Sequence, residues 1–134
     1  MALLVDTCGW IEWLTDDTLA ESFRPYLENI DRLVVPTAIQ FELYKWVCRE
    51  RDSEQALRVI ALTEQGRVIP LSTALALYAA ELAIEHKLSF ADAIIYATAR
   101  QADVQLVTSD DHFEGLPWVI YFPKKPRGEG PLAD

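Results

Sequence analysis

Ala2-Leu3-Leu4-Val5-Asp6 is an apolar run that stops on a carboxylate. Its apolar residues are consecutive rather than alternating, the pattern of a strand buried on both faces. The motif returns along the chain. Leu33-Val34-Val35 is stopped by Pro36, Val68-Ile69 is followed by Pro70, and Gln105-Leu106-Val107-Thr108 leads through Ser109 to Asp110. Val119-Ile120-Tyr121-Phe122 is a fifth short strand. Between these runs the spacing predicts helices. One short helix carries Cys8, Trp10, Ile11, Trp13 and Leu14, and further helices cover 19–29, 38–50, 53–65 and 72–86. Thr37 with Gln40, and Ser89 with Asp92, have the spacing of capping boxes. The second opens a helix reaching about residue 102, and Gly66 stands where a C′ glycine would end the helix before it. Strands separated by helices define the α/β class. The expectation is a single compact domain, a roughly five-stranded, mainly parallel sheet flanked by helices.

The bulk numbers agree with one foldable domain. The chain has 134 residues, 51% of them hydrophobic and 25% charged. Cys8 and Cys48 have no metal-motif spacing, so a reduced, cytoplasmic protein is expected. No charged segment followed by an apolar one opens the chain, and the apolar stretches break before the roughly 20 residues of a spanning helix. No Walker-type glycine loop, G-x-S-x-G, H-E-x-x-H or paired C-x-x-C occurs. Nucleotide-driven phosphoryl transfer, serine hydrolysis and structural zinc sites are therefore set aside.

The net charge of −9 runs against simple nucleic-acid binding. It is compatible with such binding if acids gather around a cation, or if basic residues cluster. The basic candidates are Lys45, Arg49 and Arg51 on one segment and Lys124, Lys125 and Arg127 on another.

Four acids stand out. Asp6 and Asp110 follow strand ends, Asp92 opens a helix and Glu42 lies in the second turn of another. Ligands of open parallel sheets bind beyond the carboxyl ends of the strands, and helices that follow strands start on that edge. All four acids can therefore meet at one rim. Each also has a structural alternative. Asp6 or Thr7 would cap a helix, Asp92 would complete a capping box, Asp110 would form a turn with Asp111, and Glu42 would pair with Lys45 on the surface. His112 reads as an exposed loop residue rather than a base or ligand, and Cys8 as a small core hydrophobe. Trp10, Trp13 and Trp46 could stack on bases, with core or interface packing the plainer reading.

Taken in order, the segments Leu4-Val5-Asp6-Thr7, Pro36-Thr37 leading to Glu42-Leu43, Ser89-Phe90-Ala91-Asp92-Ala93-Ile94, and Val107-Thr108-Ser109-Asp110-Asp111-His112-Phe113 resemble the PIN-domain ribonucleases, specifically the small VapC-type toxins. The resemblance spans residues 1–122 and leaves 123–134 as an appended, mobile tail. It implies metal-dependent RNA cleavage with Mg²⁺ or Mn²⁺, and Asp6, Glu42, Asp92 and Asp110 as the catalytic acids. Thr108 and Thr7 would support them. It also implies homodimers and a small antitoxin that enters the active-site groove. The chain departs from such toxins at Ser109, where a larger or basic residue is common.

Hard divalent cations choose carboxylate oxygens. In the arrangement expected here, Asp6 and Asp92 contact the metal, Asp110 completes its surroundings, and Glu42 orients a water or takes its proton. Two other readings stay open: a metal-dependent nuclease or phosphoesterase with no toxin role, and a silent domain whose acids dock a basic partner.

Overall fold

The structure, a computed structural model, describes residues 2–124. Five parallel strands are formed: β1 (Leu3–Val5), β2 (Val34–Pro36), β3 (Arg67–Ile69), β4 (Gln105–Thr108) and β5 (Val119–Tyr121). β4 lies between β1 and β5, pairing Leu4 with Leu106 and Val107 with Ile120. β2 and β3 form a separate parallel pair, with Val35 opposite Val68. A parallel bridge from Leu3 to Leu33 joins the two parts. The resulting order is β3-β2-β1-β4-β5. Leu4, Val5, Leu106 and Val107 are all essentially buried, which explains their uninterrupted apolar sequence.

Six helices cover the sheet: α1 (Thr7–Thr15), α2 (Ala20–Leu27), α3 (Thr37–Glu50), α4 (Ser53–Thr63), α5 (Thr73–His86) and α6 (Phe90–Ala102). They pack as sequential pairs, α1 with α2, α3 with α4 and α5 with α6. α6 is the most enclosed, with every residue from 93 to 99 buried. Its Tyr96 hydroxyl donates to the Pro117 carbonyl at 2.9 Å, so the ring is core while its polar tip stays satisfied. α3 buries Ile39, Leu43 and Val47, a stripe at helical spacing that fixes the rotation of its other faces.

Local chemistry differs from expectation at the caps. Pro36 occupies the N-cap of α3, and no side-chain cap bond forms there. Thr37 is the first helical residue instead. Gln40 donates to Thr63 Oγ1 at 3.1 Å and to Glu64 Oε2 at 2.8 Å, tying α3 to α4. Ser89 is the N-cap of α6, but its hydroxyl makes no cap bond. α4 and α5 have ordinary side-chain caps, from Asp52 and Ser72.

Two glycines are fixed by space. A Cβ on Gly66 would lie 2.8 Å from the Leu33 carbonyl oxygen, so this glycine serves the close approach of the chain to β2. Among the described residues the glycine with positive φ is Gly115, not Gly66. A Cβ on Gly9 would lie 2.6 Å from side-chain atoms of both Phe23 and Val5, so α1 depends on a glycine to sit against α2 and β1.

Among the described residues, no helix is long and apolar enough to cross a membrane. The expected tail, beyond Pro123 and Lys124, lies outside the described residues, as do Lys125 and Arg127.

Candidate active site

Asp6 immediately follows β1 and is the N-cap of α1. Its Oδ1 accepts the Thr7 N–H at 2.8 Å, and its Oδ2 accepts the Thr108 hydroxyl at 2.8 Å. The capping role that Thr7 could have filled therefore belongs to Asp6. Thr7 turns its hydroxyl outward instead and donates to Glu42 Oε1. Thr108, wholly buried at the end of β4, also accepts the Asp110 N–H at 2.9 Å. One threonine thus links the loop after β4 to the acid after β1.

The four predicted acids line one cleft of about 350 Å³. Asp6 and Asp110 come from strand ends, Asp92 from the first turn of α6 and Glu42 from the second turn of α3. Parallel strands with helices starting at their carboxyl ends bring all four to the same edge. Lys45 and Arg49 of α3 and Lys124 beyond β5 line the same cleft. Of the basic candidates, these three border the acids, while Arg51 lines a separate cleft with Asp52 and Arg58.

Burial dominates the electrostatics. Asp6 is only 5% exposed. Desolvation raises its pKa from 3.8 to about 7, the bonds from Thr108 and Thr7 opposing and the charges of Asp92 and Glu42 adding. Asp92 is raised as well, first by burial and then by the charge of Asp110, with His112 pulling the other way. Carboxyls whose pKa values are raised by burial are suited to a divalent cation, whose charge would favour their ionised form.

Asp92 and Asp110 form a tighter group with His112. One ligating atom of each lies within 4.8 Å of the others. His112 Nδ1 is 3.2 Å from Asp92 Oδ2 and 3.2 Å from Asp110 Oδ1. The charges of Asp110 and Asp92 raise the His112 pKa. Asp6 lies outside this group, though it lines the same cleft. His112 is exposed, as its loop position suggests. Its relation to two acids was hidden because the sequence does not show where the turn after Asp110 points.

Cys8 also departs from its expected role as core filler. Its Sγ accepts the Ser109 N–H at 3.4 Å and lies 3.8 Å from Asp6 Oδ2. Burial, then the Asp6 charge, pushes the thiol up to about 11. It stays protonated, so it is a poor ligand or nucleophile. Trp10 is core, whereas Trp46 lines the cleft. His86 ends α5, as expected, with its ring edge-on to Tyr96.

An α/β domain with a carboxylate cleft at the strand ends is the setting in which divalent-cation chemistry on an anionic substrate is at home. The family model described as PIN domain matches residues 3–119, and the chain belongs to that family. No curated protein sequence matches it. Solved structures share its fold. A chain of a toxin–antitoxin complex from Klebsiella pneumoniae aligns with TM-score 0.78 at 22% identity, covering 92% of this chain and 100% of that one. VapC20 of Mycobacterium tuberculosis, described as a sarcin–ricin loop cleaving toxin, aligns with TM-score 0.73 at 21% identity, covering 91% and 100%. A chain of DNA-bound VapBC from Salmonella typhimurium aligns with TM-score 0.71 at 18% identity, covering 92% and 98%.

Proposed function

We propose that the protein is a metal-dependent endoribonuclease and the toxin of a toxin–antitoxin pair. The observation that carries this reading is the meeting of Asp6, Glu42, Asp92 and Asp110 in one cleft bordered by Lys45, Arg49 and Lys124. The kinship in fold with chains of toxin–antitoxin complexes supports the biological setting.

Asp6, Asp92 and Asp110 would hold Mg²⁺ or Mn²⁺ through oxygen, the donor these ions prefer. Such an ion supplies Lewis acidity and neutralises charge where an anionic phosphodiester must dock. The chain's own residues supply the rest. Thr108 keeps Asp6 turned into the cleft. Glu42, held by Thr7, orients the attacking water and accepts its proton. Lys45, Arg49 and Lys124 hold the flanking phosphates. The nuclease domain is residues 1–122, and the segment 123–134 that follows it contributes Lys124 to the cleft. The protein acts in the cytoplasm as a homodimer, restrained by an antitoxin whose segment fills the cleft.

The test is a mapped RNA-cleavage assay with Mn²⁺ or Mg²⁺, with Asp92→Asn as control. Cleavage that needs the ion and fails in the variant supports the reading. Full cleavage in excess chelator overturns it.

A further inference from the structure

Resting on that metal-dependent reading, we propose that His112 is itself a metal ligand. Together with Asp92 and Asp110 it forms a mixed carboxylate–imidazole seat that takes Mn²⁺ in preference to Mg²⁺.

The geometry is the first argument. Nδ1 stands 3.2 Å from Asp92 Oδ2 and 3.2 Å from Asp110 Oδ1. One ring nitrogen carries at most one hydrogen, which cannot serve two carboxylates well. Both contacts are also longer than the roughly 2.7–2.9 Å of a good charge-assisted hydrogen bond. They match adjacent corners of an octahedron instead. Donors about 2.1 Å from a central ion lie roughly 3.0 Å apart along each edge, within the tolerance expected of a ligand set.

The second argument is anchorage. His112 belongs to the short 3₁₀ turn Asp111–Phe113, whose N-cap is Asp110. Its N–H donates to Asp110 Oδ1 at 2.9 Å. The next residue, Phe113, is fully buried and packs beside Tyr96 of α6, the helix that carries Asp92. The imidazole is 69% exposed, yet its backbone is pinned on both sides. A ring held at the rim by a buried neighbour is already positioned for a shared ligand.

The third argument is donor chemistry. An imidazole nitrogen suits first-row transition ions, while Mg²⁺ keeps to oxygen and water. Adding His112 to two carboxylates shifts preference along that axis. Cys8 does not compete, since its thiol faces Asp6 and Thr108.

The experiment measures Mn²⁺ binding to the full chain by electron paramagnetic resonance, with electron spin-echo detection of bound nitrogen. Mg²⁺ binding is measured by competition. Wild type should show ¹⁴N coupling from a directly bound imidazole. His112→Ala should lose that signal and weaken Mn²⁺ about tenfold, while Mg²⁺ changes less than about threefold. Mn²⁺ bound without ¹⁴N coupling overturns the inference and leaves the proposed function standing. So does tighter binding in His112→Ala, which would make the ring a competitor of the ion. No Mn²⁺ or Mg²⁺ binding in wild type removes the metal-dependent reading together with the inference.

Discussion

The Thr108 hydroxyl donates to Asp6 Oδ2 at 2.8 Å across 102 residues of sequence. The same oxygen accepts the Asp110 N–H. Thr108→Val keeps the β-branched shape and removes both bonds. Loss of a hydrogen bond to a buried carboxyl typically costs about 1.5–3 kcal/mol, and urea unfolding should register a loss of that order. Because this bond lowers the Asp6 pKa, Mn²⁺ binding near neutral pH should also weaken. Thr108→Ser should recover most of both losses.

Asp6→Asn and Asp92→Asn should each reduce metal-dependent RNA cleavage by at least about a hundredfold. The variants should remain folded by circular dichroism, since amide and carboxyl are nearly isosteric. Unchanged cleavage in either variant would remove that residue from the catalytic set.

Metal binding should depend steeply on pH. Asp6 titrates near pH 7 in the metal-free protein, so a cation that needs it ionised must displace a proton. Affinity should rise up to about tenfold per pH unit below 7 and level off above. Calorimetry in buffers of different ionisation enthalpy should detect the released proton. A flat affinity from pH 5 to 8 would exclude Asp6 as a ligand.

Stability of the metal-free protein should move the opposite way. The folded-state pKa of Asp6 is raised from 3.8 to about 7. Its contribution is therefore fully present below about pH 4 and lost as pH rises through 7. Wild type in chelator should lose stability relative to Asp6→Asn between pH 5 and pH 8. A difference between the two that does not vary with pH would contradict this.

Lys45 and Arg49 should serve RNA binding rather than folding. Replacing both with Ala should weaken binding at all sequences. It should also reduce the slope of log affinity against log salt by about 1.4, two single-strand phosphate contacts at roughly 0.7 each. Thermal stability should change little.

Much of this architecture is legible in the chain itself, for a physical reason. Strands buried on both faces must be continuously apolar, so Leu3-Leu4-Val5 and Leu106-Val107 announce themselves, and Asp6 and Asp110 stand out at their ends. Asp92 is visible because it heads the enclosed helix α6. Glu42 is harder to place, because its direction depends on the rotation of α3, which the buried Ile39, Leu43 and Val47 set. The caps mislead where another bond wins: Pro36 takes the position expected for Thr37, and Gln40 reaches α4 instead. His112 and Lys124 stand out as candidates in the sequence, but their place at the cleft cannot be read locally. One is aimed by the burial of Phe113, and the other is delivered by β5 from far along the chain.

The central position of β4 has a consequence for partial synthesis. β1 and β5 do not pair with each other; each pairs with β4. A chain broken off before residue 105 holds Asp6, Glu42 and Asp92, yet lacks the strand that unites the three-stranded part of the sheet. It also lacks Thr108, the hydroxyl that engages Asp6. Prematurely terminated fragments therefore lack the complete cleft, which needs β4, Thr108 and Asp110 from the last fifth of the polypeptide.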